Sequence, residues 1–213
     1  MPSFIIHASV AKEYNKKHKL DDLLFIVGSI APDCWRNSKL FGYENRYLSH
    51  FTNTQLNNEN EDYQMFFLKY QNHLDNPFYL GYLIHLITDT FWRDVIYKEY
   101  ELIINIKMDK EKLNNYIRNE NHYLDSSLIK YYQLKEFPIY ESQIPLFNAS
   151  IDEIDLTGLF GPSGTLAYAN NIINNKENNK PKYINFEHLL NDINRTVEYV
   201  EKELNRLKTI ERK

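Results

Sequence analysis

One segment constrains the fold of this chain more than any other, because it is apolar almost without interruption. From Phe78 to Trp92 nearly every side chain is apolar or aromatic, and the segment begins just after Asn76-Pro77. Proline is favoured in the first turn of a helix, so this junction predicts the start of one. A helix with so little polar surface has to be buried on most of its sides.

Helical spacing runs through the rest of the sequence, and only 6 Gly and 7 Pro occur in 213 residues. The alternation of apolar and polar residues that marks half-buried strands is hard to find. Residues 136–162 contain three prolines and are predicted to be irregular. The predicted fold class is all-α, a compact multi-helix bundle that forms a single domain over residues 1–213. Its other helices are predicted from Ser3 to about His18, from Asp21 or Asp22 to just before Pro32, and over residues 60–74, 110–134, 163–175 and 185–208.

The composition excludes several classes of protein. A net charge of −4 and the absence of a dense Lys/Arg run argue against a stable nucleic-acid complex. The single cysteine, Cys34, excludes an intramolecular disulfide and a cysteine-rich zinc site. The first residues lack the pattern of a signal peptide. The longest apolar run is too short for a transmembrane segment and contains His85 and Asp89. We expect a cytoplasmic protein.

The last predicted helix carries apolar residues spaced four, three, four and three apart, which is the spacing of one buried helical face. This pattern is typical of a helix that docks on its own domain. A seam between two copies of the chain, giving a homodimer, is the alternative. The face consists of Ile193, Val197, Val200, Leu204 and Leu207.

His85 and Asp89 are the polar exceptions inside the apolar segment. They lie four residues apart, so they project from the same face of a helix. A buried carboxylate is costly unless it is paired or bound to a cation. Two explanations remain open. Either the two side chains pair with each other, or the helix offers both as ligands to one metal ion.

Three more polar residues stand in apolar surroundings in the first half of the chain. They are His7 in SFIIHASV, Asp33 after IVGSIAP and His50 in YLSHF. Each alone has an ordinary explanation: a core histidine bonded to a carbonyl, a turn aspartate and a satisfied loop histidine. Together with His85 and Asp89 they form a set of three imidazoles and two carboxylates. Such nitrogen and oxygen ligands suit zinc or another divalent transition metal.

These residues occur in a recognisable order: His7, then GSIAPD, SHF and HLITD. In this order the sequence resembles the zinc-dependent phospholipase C family, whose superfamily also contains zinc-dependent single-strand nucleases. The resemblance extends over roughly residues 1–95. It implies a compact helical bundle with one to three zinc ions in a cleft. One zinc would be bound by Asp33, His50, His85 and Asp89, and Asp89 would bridge to a second zinc that also uses His7.

The resemblance leaves some ligands open. Secreted relatives use the amine of the mature N-terminus, and Met1 here precedes Pro2, a context in which the initiator methionine is commonly removed. The Pro2 amine would then lie five residues before His7. A third zinc in the family uses a histidine shortly after the H-x-x-x-D motif and a later histidine–acid pair. The candidates for it are His122 and the pair His188 and Asp192.

The function we predict is a metal-dependent phosphoesterase, in which water activated by the metal attacks phosphorus. Asp33 would orient or deprotonate the water, and Arg36 and Arg46 are candidate phosphate anchors. The substrate would be a phospholipid headgroup, a nucleotide or a small phosphate ester.

Two alternatives come from the residues themselves. A non-catalytic helical binding module would use the same ligands for a closed structural metal site. A nucleotide phosphohydrolase of the histidine-aspartate class needs a His-Asp dipeptide, and none of the seven histidines is followed by Asp.

Overall fold

The computed structural model of the chain describes residues 2–20, 22–33, 49–52, 62–104, 109–134 and 183–210, and no strand occurs within these ranges. The all-α prediction is confirmed. The described helices are α1 (Phe4–His18), α2 (Asp22–Ile30), α3 (Tyr63–Tyr70), α4 (Pro77–Phe91), α5 (Tyr97–Ile104), α6 (Lys110–Tyr131) and α7 (Phe186–Ile210).

Two of the predicted helix starts are fixed by side-chain caps. The Ser3 hydroxyl accepts a hydrogen bond from the Ile6 amide at 3.3 Å at the start of α1. The Asn76 side chain accepts one from the Phe78 amide at 3.0 Å, with Pro77 as the first residue of α4. Both caps satisfy amides that the first turn of a helix leaves without a partner. The predicted helix over 163–175 and the irregular stretch over 136–162 lie outside the described residues.

Helix α5 was not predicted from the sequence. Between α4 and α5 the chain passes through a π-turn, Trp92–Ile96, in place of a loop. Such a turn accommodates an extra residue and shifts the helical phase, so the apolar pattern of α4 does not continue in register into α5.

Helices α2 and α4 cross with their backbones in contact, and a glycine lies on each side of the crossing. A Cβ atom at Gly28 would overlap the carbonyl oxygen of Phe78 and lie 2.9 Å from its Cα. A Cβ atom at Gly81 would overlap the carbonyl oxygen of Phe25 and lie 2.9 Å from the amide nitrogen of Ser29. Real Cβ atoms are not found this close to backbone, so neither position accepts any residue larger than glycine.

The other described helices surround this pair. Helix α4 also contacts α1, α3 and α7, and α1 contacts α2, α6 and α7. The predicted apolar face of α7 is buried inside the chain, with Ile193 and Val200 at 0% exposure and Leu204 at 7%. A seam between two copies would therefore need another face of this helix. None of the described helices combines the length and apolar character of a membrane span.

The glycine crossing gives a stability prediction. Gly81→Ala should lower the free energy of unfolding by about 3 kcal/mol or more, because the added methyl group has only backbone around it. For a chain of this size that is roughly 6–12 °C in melting temperature. Thr90→Ala is the matched control, since Thr90 lies half a turn around α4 from Gly81 and its hydroxyl donates to the Leu86 carbonyl of the same helix. Equal melting temperatures for the two variants would contradict the backbone contact.

Candidate metal centre

The five predicted ligands come from four separate segments and meet at one point. His7 lies on α1, and Asp33 ends the short turn over residues 31–33 that follows α2. His50 lies in the segment over residues 49–52, and α4 supplies His85 and Asp89. The three histidines and Asp89 are 0–1% exposed. The Asp33 side chain is 10% exposed and is the one that reaches toward solvent.

The ligand atoms lie close together around Asp89. One oxygen of Asp89 is 3.3 Å from His7 Nε2. Its other oxygen is 3.4 Å from His50 Nε2 and 3.5 Å from His85 Nε2. The two Nε2 atoms of His50 and His85 are 3.4 Å apart. Asp33 Oδ1 lies 3.6 Å from His50 Nε2.

These separations match the size of a zinc site. Two ligand atoms of a tetrahedral zinc, each about 2.0–2.1 Å from the ion, lie about 3.3–3.4 Å from each other. The contacts of 3.3–3.6 Å therefore leave room for an ion and are too long for good hydrogen bonds. Within the described residues, two groups can hold a metal ion: His7, His85 and Asp89, and Asp33, His50 and His85. Both use His85, so the two positions are neighbours.

Two histidines are oriented by hydrogen bonds on the far side of the ring. His85 Nδ1 is 2.8 Å from the Ser29 carbonyl oxygen, which can only accept, so Nδ1 carries the proton. His50 Nδ1 is 2.9 Å from the Ser49 hydroxyl. Such outer contacts set the tautomer and direction of metal-binding histidines. With the proton on Nδ1, the neutral ring of His85 presents a lone pair on Nε2 to the centre.

The segment over residues 49–52 is held against α3 and α4. The Tyr82 hydroxyl donates to the Ser49 carbonyl. Phe51 has a φ of 55°, which is unusual for a bulky residue. Its ring packs edge-on against Phe66, with the centroids 5.1 Å apart, and also against Tyr70 and Tyr82. The aromatic packing holds the backbone in this conformation and keeps His50 directed inward.

Several ligand atoms have no hydrogen-bond partner within the described part of the chain. They are both ring nitrogens of His7, both oxygens of Asp89 and Asp33 Oδ1. The His7 ring stacks on the His85 ring with centroids 3.7 Å apart. Burying an ionised carboxylate without compensation costs several kcal/mol. The arrangement is therefore that of a site built for a cation.

The pKa values describe the same electrostatics. Burial alone would raise the pKa of Asp33, but the adjacent His50, His85 and His7 hold it well below its usual range. Burial would also raise the pKa of Asp89, but His85, His50 and His7 hold it well below its usual value. Burial lowers the pKa of His7, and the electrostatic effect of the adjacent His85 lowers it further. Burial also acts to lower the pKa of His50, but Asp33 and Asp89 raise it to about 9.

The direction of these shifts has one consequence for metal binding. With a pKa of about 9, His50 carries a proton at neutral pH when no metal is bound. A metal ion has to displace that proton, because only the neutral imidazole is a ligand.

A comparison with protein families decides the identity of this chain. The family described as "Zinc dependent phospholipase C" matches residues 2–206. The chain belongs to this zinc-dependent phospholipase C family. The family match extends far beyond the first 95 residues that carried the resemblance. No curated protein and no solved structure matches the chain.

The other candidates for zinc ligands of this family member are placed differently. His188 and Asp192 lie on α7, but the Asp192 oxygens accept hydrogen bonds from Tyr100 at 2.6 Å and from Arg195 at 3.0 Å. This carboxylate is bonded to protein donors, and neither His188 nor Asp192 belongs to the groups of described residues that can hold a metal ion. His122 falls within α6, and Pro2 is buried beside the cap of α1. Arg36 and Arg46 lie outside the described residues.

The residues that orient the candidate ligands were not predicted from the sequence. The Ser29 carbonyl contacts the His85 ring, and the Ser49 hydroxyl contacts the His50 ring. The Tyr82 hydroxyl donates to the Ser49 carbonyl and so holds the segment that carries His50. Their identity alone carries no signal for this role. Only the proximity of Ser29 to Asp33 in GSIAPD, and of Ser49 to His50, could have indicated them.

The first test of the site is its metal content. Purified protein should contain at least one equivalent of zinc or a similar metal by elemental analysis. The double variant His85→Ala, Asp89→Ala should lose it, because both candidate groups use His85. His73→Ala is the control, since His73 lies at the surface after α3. Full metal retention in the double variant would rule out this site.

The second test is stability after chelation. The unfolded chain has no preformed site, so bound metal stabilises the folded state. Free zinc at 1,000 times its dissociation constant contributes about 4 kcal/mol, or roughly 8–16 °C in a chain of this size. Verified removal of metal should therefore lower the melting temperature by several degrees at least. The double variant should melt at the same temperature with and without chelator.

Proposed function

We propose that this family member is a zinc-dependent hydrolase of phosphoesters, similar in activity to phospholipase C. The proposal is carried by one observation: six buried ligand atoms from five residues converge at separations of 3.3–3.6 Å, and several of them have no hydrogen-bond partner among the described residues. Membership of the family supports zinc as the metal. The number of ions is part of the proposal, because the two groups share His85, whose single free nitrogen can bind only one ion at a time.

The residues of the chain have distinct roles in this proposal. His7, His50, His85 and Asp89 are almost fully buried and would hold the metal. Zinc in such a site supplies Lewis-acid chemistry and makes water acidic enough to attack phosphorus near neutral pH. Asp33 is at the same time a ligand and the residue at the solvent side. Its low pKa keeps it ionised, so it suits accepting a hydrogen bond from water and orienting it.

The proposed substrate is a phospholipid headgroup, on the basis of the family. Nucleotides and small phosphate esters have the same phosphoryl group and are the other candidates. No stable nucleic-acid complex is proposed, and the cytoplasmic location stays a prediction.

The activity prediction uses His50, which lies between both carboxylates. Hydrolysis of a chromogenic phosphodiester should rise with added zinc, fall with chelator, and decrease by at least about a hundredfold in His50→Ala, because one ligand of the centre is lost. His73→Ala should hydrolyse the ester at the wild-type rate. Rates on phosphatidylcholine vesicles, oligonucleotides and phosphomonoesters then identify the substrate class.

Zinc-loaded protein that hydrolyses none of these compounds would contradict the phosphoesterase proposal. A closed site with protein ligands at every metal position would then identify a binding module with a structural metal.

A further inference from the structure

The π-turn begins directly after the metal-binding face of α4. Its first residue, Trp92, lies three residues after Asp89. The Trp92 amide donates to the carbonyl oxygens of both Thr88 and Asp89. Residues three apart on a helix are neighbours, so the backbone of Trp92 forms one turn with that of Asp89. Turns of this kind are rare and occur frequently at functional sites.

The π-turn aligns two side chains that a regular helix would separate. An α-helix rotates about 100° per residue, so the eight steps from Trp92 to Tyr100 would leave these side chains about 80° apart. The extra residue in the π-turn reduces the total rotation by about 100°. The directions of the Trp92 and Tyr100 side chains then differ by only about 20°. Both side chains then face α7, where Thr196 and Asp192 lie one turn apart.

The first of the two contacts is made by Trp92. Its indole Nε1 donates to the Thr196 hydroxyl at 3.0 Å. That hydroxyl donates in turn to the Asp192 backbone carbonyl at 2.6 Å, which fixes its orientation. Trp92 and Thr196 are both 0% exposed, so no water competes for the indole N–H. A buried N–H that loses its acceptor costs about 1–3 kcal/mol.

The second contact is made by Tyr100. Its hydroxyl donates to Asp192 Oδ2 at 2.6 Å, and Arg195 donates to Asp192 Oδ1 at 3.0 Å. Arg195 also forms a two-pronged ion pair with Glu99, with both contacts at 2.7 Å. Two residues of α5 are thereby bound to α7, and the chain on the far side of the π-turn cannot rotate freely.

We propose that Thr196 is a positioning residue for the metal centre, acting on Asp89 through Trp92. By accepting the indole N–H it fixes Trp92 and the π-turn, and so fixes the last turn of α4, from which Asp89 extends. The inference rests on the proposed function of the five ligands. It assigns to α7 a role in the site, although none of the five ligands comes from that helix.

The test compares two threonines on the same helix. Thr196→Val keeps the shape of the side chain and removes the acceptor. Thr209→Val is the control, because Thr209 also bonds to a carbonyl of its own helix but is exposed. Zinc affinity is measured by competition with a chromophoric chelator, well below the melting temperature. Thr196→Val should bind zinc up to about tenfold more weakly, the lower end of the loss for groups that bond directly to a metal ligand, because Thr196 acts on Asp89 only through Trp92.

A purely structural role for Thr196 would lower the melting temperature and leave zinc affinity unchanged, and that result would overturn the proposal. Thr196→Ser keeps the hydroxyl and should restore the affinity of the wild type. Trp92→Phe removes the same hydrogen bond from the other side and should weaken zinc binding to a similar extent. This second variant keeps the test decisive if Thr196→Val does not fold.

A measurement on the metal-free protein distinguishes failure of this inference from failure of the proposed function. In the presence of a chelator, Thr196→Val should show faster hydrogen exchange of the Trp92 amide. The NMR signals of the His7 ring, whose Nε2 lies 3.3 Å from Asp89, should also shift. Thr209→Val should show neither change. If the wild type binds no zinc, the proposed function fails and these signals alone decide the positioning role. Unchanged exchange and unchanged signals in Thr196→Val would refute it.

Discussion

The metal centre depends on the contact between the backbones of α2 and α4. Because glycines lie at the crossing, the two helices approach until main-chain atoms touch. The Ser29 carbonyl, one residue beyond Gly28, then reaches the ring of His85, one turn beyond Gly81. Asp33 follows on the same side. A larger residue at either glycine would separate the helices, and the spacing between the carboxylates and imidazoles would be lost.

The second physical constraint is charge. Two carboxylates lie among three imidazoles in a region with almost no solvent, and several of their atoms have no hydrogen-bond partner within the described residues. A protein core tolerates such an arrangement only if a cation compensates it. In the absence of metal, the proton on His50 is the smallest cation that the chain itself can supply. A metal ion that binds here would take the place of that proton.

The candidate ligands could be singled out in the sequence because each stood out against an apolar background. His85 and Asp89 were recognisable inside α4, and the order of the five residues indicated the family. Helix α5 could not be predicted, because the π-turn at Trp92–Ile96 changes the helical phase without a proline or glycine to mark it. The orienting contacts were also hidden, since a backbone carbonyl such as that of Ser29 has the same chemistry in every residue.

The sequence also could not distinguish a carboxylate of the candidate metal centre from one that stabilises packing. Asp89 and Asp192 each lie four residues after a histidine on a helix. Only the three-dimensional surroundings separate them: the oxygens of Asp192 meet a tyrosine and an arginine, and those of Asp89 meet imidazoles at the spacing of a metal site.

The left-handed backbone of Phe51 has a consequence for the kinetics of the site. His85 and Asp89 are anchored within a helix, whereas His50 lies in a turn next to a residue whose conformation stores about 1–3 kcal/mol of strain. Relaxation of that residue would withdraw His50 while His85 and Asp89 stayed in place, so dissociation of a bound ion should begin at His50. The lifetime of the bound state, followed by transfer of zinc to an excess of chelator, should then respond to substitution of Phe51 more strongly than the equilibrium affinity does. Residue 51 would thus control how fast the centre exchanges its ion.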